Sequence, residues 1–243
     1  MFDKKDPGSW IRGHLEALED EILVAYIARA QFALNSPVYQ KGYGGNPNQS
    51  MLDAMLLAIE TAYAKFGRYT DPLERPFNDN FPSPEKEIKA QDRGLSVSDY
   101  KLVSATPQIM ESYLGFLAKI CKPGDDGQYG SSAEHDIAAL LVTAERIHSG
   151  MIVAEWKFRE DPDGYGRLIS AKDCRGILAK LTDEKVEQRV LQRIYDKANR
   201  RMEETNTGVR QIIQPGVFAD FFKTIIIPLT KTVEVNYFQH RAF

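Results

Sequence analysis

Cysteine is scarce. Only Cys121 and Cys174 occur in 243 residues, with no partner motif around either, so a disulfide framework is excluded. Long apolar runs are also missing. None approaches the ~20 residues of a membrane span, so no membrane association is expected. The N-terminal Met1-Phe-Asp-Lys-Lys-Asp-Pro7 is charged and lacks the apolar core of a signal peptide. A cytoplasmic protein is expected, and a plastid or secreted one only if a leader has been removed. Charge of one sign is not in excess: 31 Lys and Arg face 34 Asp and Glu, for a net −3. No basic stripe marks a nucleic-acid binder. There is no P-loop, no dinucleotide fingerprint and no nucleophile elbow. The four histidines, His14, His135, His148 and His240, are scattered without metal-ligand spacing. Glu145-Arg-Ile-His148 matches one Glu-x-x-His unit, but di-iron bundles need two copies and further glutamates. No metal and no cofactor are expected.

What is present is helical periodicity. At 43% apolar, the chain can bury one large core, and residues 1–243 read as a single domain. Ile11, Leu15, Leu18, Ile22 and Ile27 predict a helix over about 10–33. Ser50 with Asp53 opens a second helix, which Gly67 ends. From Tyr69 to Lys101 the period fails, and Pro72, Pro76, Pro82 and Pro84 mark an irregular insertion of the length expected for a functional or interface loop. A helix over about 107–121 precedes the turn Lys122-Pro-Gly-Asp-Asp-Gly127. Further helices are predicted from Ser131 through Phe158, over 171–181 and 183–203, and from Val217 to the C-terminus. Ser131 and Glu134 form a candidate capping box, and Pro228 is expected to bend the last helix. No alternating strand, repeat or low-complexity segment is evident. The fold class is all-α, a multi-helix bundle.

Arg146 and Lys157 stand out within the long helix. Eleven residues on a continuous helix make three turns plus about 20°, which puts both cations on one face, roughly 16 Å apart. Gly150 and Val153 lie between them as a shallow floor suited to a small dianion. Taken alone, such a pair is a solvated basic face. Asp183 and Glu187 are four apart near the start of a helix that Thr182 could cap. Thr230 and Glu234 are four apart beyond Pro228. Acids in a first turn complement the helix dipole, and a Thr/Glu pair on a terminal helix reads as surface.

Together these residues resemble the eukaryotic, yeast- and plant-type chorismate mutases along nearly the whole chain. The resemblance rests on Ile11-Arg12, Leu18-Glu-Asp-Glu-Ile22, Ala28-Arg-Ala-Gln-Phe32 and Ser36-Pro-Val-Tyr39. It continues in Lys65-Phe-Gly-Arg-Tyr69, Lys122-Pro-Gly-Asp-Asp-Gly127 and Arg146-Ile-His-Ser-Gly150. It closes with Val153-Ala-Glu-Trp-Lys-Phe158, Lys185-Val-Glu187 and Ile227-Pro-Leu-Thr-Lys-Thr-Val-Glu-Val235. It implies the all-α bundle of that family and a cofactor-free rearrangement of chorismate to prephenate. It further implies that Arg12 and Arg146 bind carboxylates, that Lys157 reaches a carboxylate and the ether oxygen, and that protonated Glu234 donates to that oxygen. Glu187 would hold the ring hydroxyl and Thr230 lie beside the side-chain carboxylate. Asp183 stands where the yeast pattern has asparagine and bacterial members have aspartate. Asp183, Gly150 and Val153 are expected to touch substrate.

The resemblance also implies a homodimer and an effector site. In the yeast enzyme, tyrosine and tryptophan bind at a dimer interface built partly from two adjacent arginines and a Gly-Ser…Thr segment. Here Arg68 is one such arginine, Gly130-Ser131 is present, and Glu134 replaces the threonine, so weak tyrosine or tryptophan binding is expected. Two other readings stay open. One is an inactive chorismate-mutase-like interaction module. The other is an unrelated all-α phosphopeptide-binding protein, which predicts a third basic residue in the groove and no use for Glu234.

Overall fold

Ile11, Leu18, Ile22 and Ile27 are buried along α1 (Pro7–Arg29), as their spacing predicts. The computed structural model describes residues 7–90, 92–204 and 211–242. The expectation for Met1–Asp6 lies outside the described residues. The fold is all-α, and the described residues contain no β-strand. Helix α2 (Met51–Lys65) starts with the expected reciprocal cap: the Ser50 hydroxyl accepts from the Asp53 amide at 3.1 Å, and the Asp53 carboxylate accepts from the Ser50 amide at 2.9 Å. Gly67 follows with φ +81°, a conformation that favours glycine.

Among the described residues of the segment 69–101 there is no helix beyond two single 3₁₀ turns, as expected. It is nonetheless fastened down. The buried Glu60 carboxylate accepts from the Phe77 amide at 2.7 Å and from the Asn78 amide at 3.0 Å. Helix α3 (Thr106–Ile120) leads into the glycine turn, where Gly124 and Gly127 take positive φ.

The long helix differs from its expected form. α4 (Tyr129–His148) begins two residues before Ser131, and no Ser131–Glu134 box caps it. The turn ending at Gly127 already delivers the chain in helical register, with Asp126 accepting from the Gln128 amide at 2.9 Å. The helix is also interrupted at Ser149 before α5 (Gly150–Glu160). There the serine hydroxyl donates to the Glu145 carbonyl at 2.8 Å, a back-bond that bends helices. The single continuous helix assumed above is therefore two. By length and composition Tyr129–Glu160 could cross a membrane, contrary to expectation, yet 78% of its most apolar window is buried inside the protein. It is the core helix pair.

Helix α6 (Pro162–Ser170) was not expected; its two glycines weaken the periodic signal. The cue was Asp161-Pro162: the aspartate caps the Gly164 amide at 2.9 Å, and proline suits a first helical position. α7 (Cys174–Leu181) follows, and then α8 (Glu184–Glu203). Asp183, not Thr182, caps α8, accepting from the amides of Lys185 at 3.0 Å and Val186 at 3.1 Å. The Thr182 hydroxyl instead donates to Leu178 at 2.8 Å and closes α7.

The last helical stretch is α9 (Pro215–Phe221), a π-helical turn over Phe222–Ile226, and α10 (Ile227–His240). Pro228 lacks an N–H, and the wider π turn before it takes up the missing ladder bond. α1 packs along α4, α10 against α5, and α8 against α9. Their buried faces merge into one apolar cluster running from Ile11 to Phe238.

Candidate active site

One end of the bundle holds a cavity of about 610 Å³. α1 supplies Arg12, α4 Arg146, α5 Val153, Trp156 and Lys157, α8 Glu187, and α10 Thr230, Lys231 and Glu234, with Asp183 at the start of α8. All six polar residues named from the resemblance therefore line one cavity, although they come from five helices.

Arg146 is 5% exposed, and its Nε and Nη1 have no hydrogen-bond partner among the described residues. Burial holds its pKa below the usual arginine value, opposed by Glu19 and Glu234 and reinforced by Arg193. A buried cation without a direct partner is expensive. An anion entering the cavity would relieve that penalty. Behind Arg146, the buried Glu19 carboxylate is held by Arg193 Nη2 at 2.7 Å and Nε at 2.8 Å.

Glu234 is 6% exposed, and burial pushes its pKa up to about 7, against the pull of Lys157, Arg146 and Lys231. At neutral pH a large share of it is a neutral acid, which can donate a hydrogen bond. Lys157 Nζ donates to the Leu181 carbonyl at 2.8 Å, the C-terminal end of α7, which fixes its ammonium at the cavity wall. Glu187 pairs with Lys231 at 2.6 Å. The Thr230 hydroxyl donates to the Ile226 carbonyl at 2.7 Å, and its methyl group faces Gly150 of α5. Asp183 spends one oxygen on capping α8 and lines the cavity with the rest of its side chain.

Gly150 is a correction. It does not line the cavity. A Cβ there would stand 3.0 Å from Thr230 Cγ2, 3.1 Å from the Thr230 carbonyl oxygen and 3.3 Å from Glu234 Cγ. Its job is to let α5 approach α10, which seats the two α10 residues. Val153 does line the cavity.

Sequence reading missed Trp156, Tyr165, Lys180, Arg189 and Lys231, all in the cavity wall. Lys231 and Trp156 each adjoin a named residue, but only contacts between helices reveal them. Lys180 pairs with Asp161 at 2.6 Å and sits 5.0 Å from the Tyr165 ring centroid. The extra cations match one expectation of the phosphopeptide reading. Glu234, buried among Arg146, Lys157 and Lys231, is what that reading leaves without a use.

The effector residues do not converge within one chain. Arg68 pairs with Glu74 at 3.4 Å and lies near Glu145, toward the end of α4. Gly130, Ser131 and Glu134 are at the opposite end, where fifteen residues of helix span about 22 Å. The Glu-x-x-His unit is structural. The buried His148 ring accepts from the Ala105 amide at 3.0 Å, its other nitrogen lies 2.7 Å from the Ala144 carbonyl, and burial pushes its pKa down to about 3. Among the described residues, no group of three or more His, Cys, Asp or Glu is placed to hold a metal ion.

No protein-family model matches this chain. Curated relatives do. The chorismate mutase of Schizosaccharomyces pombe is 37% identical over 236 residues, covering 93% of each chain. The cytosolic chorismate mutase 2 of Zea mays is 32% identical over 95% of this chain and 94% of its own. The chloroplastic chorismate mutase 1 of Zea mays is 34% identical over 95% of this chain and 77% of its own. Among solved structures, the chorismate mutase of Candida albicans in complex with L-tryptophan superposes with a TM-score of 0.88, at 33% identity over 95% of this chain and 90% of its own. A second, with tyrosine bound in its allosteric site, gives 0.83 at 30% identity over 94% of each chain.

Proposed function

The chain belongs to the eukaryotic chorismate mutase family and catalyses the rearrangement of chorismate to prephenate; from that premise we propose that the cavity between α1, α4, α5, α8 and α10 is where it does so. The observation that carries this is Arg146, a buried guanidinium with two unpaired donors in a cavity that also holds Lys157 and Glu234. The reaction is intramolecular. One C–O ether bond breaks as one C–C bond forms, so no nucleophile is needed and catalysis consists of holding the chair and stabilising charge on the ether oxygen. A ~10⁶-fold acceleration needs about 8 kcal/mol of differential stabilisation.

Arg12 and Arg146 take the two carboxylates, where a planar guanidinium pairs two oxygens at once. Lys157 reaches a carboxylate and the ether oxygen, its ammonium already held by Leu181. Glu234, protonated, donates to the same oxygen. Glu187 accepts from the ring hydroxyl, held in place by its ion pair with Lys231. Thr230 and Val153 shape the wall beside the side-chain carboxylate, and Asp183 closes the far side.

On this reading the chain works as one domain and as a homodimer, in the cytoplasm or, if a leader has been removed, in a plastid, the compartments of its relatives. Dimerisation is supported by the separation of Arg68 from Gly130 and Ser131, since a second copy can bring one set against the other. An amino acid bound there would meet Arg68 with its carboxylate and the start of α4 with its side chain. Glu134 then faces a tyrosine or tryptophan ring and must be desolvated, a penalty a threonine would not carry.

Activity at subsaturating chorismate, titrated with tyrosine and with tryptophan, tests this. Tyrosine is expected to inhibit weakly, with half-effect no tighter than roughly millimolar. Glu134→Thr should tighten it about tenfold, corresponding to ~1.4 kcal/mol. Micromolar tyrosine inhibition of the wild-type chain, lost in Arg68→Ala, would show that the site works and that Glu134 is no obstacle.

A further inference from the structure

Glu155 is two residues before Lys157 on α5, yet it points away from the cavity and its side chain is 5% exposed. Its carboxylate accepts four hydrogen bonds. Oε1 takes Arg159 Nε at 2.9 Å and Arg241 Nη2 at 3.2 Å; Oε2 takes the Tyr237 hydroxyl at 2.7 Å and Arg241 Nε at 2.8 Å. Burial alone would raise its pKa, but the hydrogen bonds from Arg241, Tyr237 and Arg159 outweigh burial and hold it below the usual glutamate value. The carboxylate is therefore ionised and saturated.

Each of its three partners also grips the irregular segment. Arg159 Nη2 donates to the Gly94 carbonyl at 2.5 Å, and the Tyr237 hydroxyl accepts from the Ser96 amide at 2.9 Å. Arg241 forms an antiparallel bridge with Val97, next to the Ala242 amide bonded to the Ser96 carbonyl at 2.7 Å. The Arg241 guanidinium also stacks 3.6 Å above the Phe158 ring centroid. One carboxylate thus ties α5, the C-terminal end of α10 and the end of the insertion together.

We propose that this knot sets the spacing of α5 and α10 at the reacting centre, making Glu155 a positioning residue for the rearrangement that acts through Lys157 and Glu234. Tyr237 is one turn beyond Glu234, about 4.5 Å along the axis. The Glu155–Tyr237 bond therefore clamps the two helices within one turn of both groups assigned to the ether oxygen. Apolar packing lets helices slide by fractions of an ångström, whereas the three directional hydrogen bonds that Tyr237 and Arg241 give the Glu155 carboxylate do not. A misplacement of about 1 Å is worth up to 10²-fold in rate. The inference rests on the assignment of Lys157 and Glu234 given above.

Glu234 is faced by Lys157 on α5, Arg146 on α4, Glu187 on α8, Tyr165 on α6 and Lys231 on its own helix, with Arg12 of α1 and Lys180 of α7 also in the cavity wall. Loosening the clasp removes none of these charges, but it lets α5 and α10 part and admits water beside Glu234. Hydration favours the ionised form, so the alkaline limb of turnover moves to lower pH.

The experiment measures kcat and KM against pH for Tyr237→Phe, which removes one oxygen, and for Arg241→Ala and Arg241→Lys. The expected result in Tyr237→Phe is a kcat lower by roughly 5- to 20-fold, KM within about twofold, and an alkaline limb displaced downward by about half a unit. Arg241→Ala should show the same pattern, partly rescued by Arg241→Lys. A purely structural role moves melting temperature and folded fraction but leaves the limb in place. Wild-type kcat with an unmoved limb in folded Tyr237→Phe overturns the proposal, whether or not the Arg241 variants fold. Failure of the underlying assignment looks different: Glu234→Gln would then keep the wild-type alkaline limb.

Discussion

Lys157→Ala is expected to lower kcat by roughly 10²- to 10³-fold, the usual loss when one donor to a developing oxyanion is removed. In the substrate the ether oxygen carries little charge; in the chair transition state it carries much more. A donor to it therefore acts mainly on kcat. Arg12 and Arg146 bind carboxylates that are charged throughout, so Arg12→Ala and Arg146→Ala should raise KM as well. The fold should survive the Lys157 change, because its ammonium has one backbone partner, Leu181, and its side chain is only half-buried. Steady-state kinetics on protein whose circular dichroism matches wild type checks this. Near-normal kcat in folded Lys157→Ala would remove the residue from its role.

The second large effect is on pH. Glu234 must be protonated to donate, and burial pushes its pKa up to about 7. Below that value the group is neutral and turnover is flat. Above it, each unit of pH removes about tenfold of the active form, because an ionised carboxylate cannot donate and repels the dianionic substrate. Bound substrate adds negative charge nearby and favours the protonated form further. The limb in kcat should therefore lie at or above the limb in kcat/KM. Folding follows the same sign. A carboxyl whose folded pKa is raised contributes stability that is fully present below its unfolded value, near 4.5, and lost as pH rises through about 7. Glu234→Gln keeps a donor that does not titrate, so its kcat profile should be flat on the alkaline side. A profile identical to wild type would exclude Glu234 as the donor.

Much of this molecule was legible beforehand, and the exceptions share a cause. The periods of α1, α2 and α3 and the Ser50–Asp53 cap are local, and local rules read them. The start of α4 is set by Gly124 and Gly127 in the preceding turn, outside the Ser131–Glu134 motif that mimics a cap. α6 was hidden by Gly164 and Gly166, although Asp161-Pro162 announced it. The break at Ser149 comes from a hydroxyl that chooses a backbone carbonyl, which periodicity cannot register. In the site, Arg12, Arg146, Lys157, Glu187, Thr230 and Glu234 were named through resemblance to a family; spacing alone would have left most of them as surface charges. Lys231, Trp156 and the Glu155 clasp were missed because their meaning lies in contacts between helices far apart in sequence. Gly150 was given a ligand when its space is taken by α10.

The central claim is that this cavity is complementary to the chair transition state through Lys157 and protonated Glu234. Its most direct test is the dissociation constant of a dicarboxylate bicyclic ether shaped like that chair, measured by calorimetry on the wild-type chain, Lys157→Ala and Glu234→Gln. A transition-state mimic should lose affinity in each variant by the same factor as kcat/KM. Affinity in Lys157→Ala should accordingly fall by roughly 10²-fold or more. Glu234→Gln should bind the mimic equally well on both sides of neutral pH, while wild type weakens above it. Undiminished affinity for the mimic in Lys157→Ala, alongside a collapsed kcat/KM, would contradict the account.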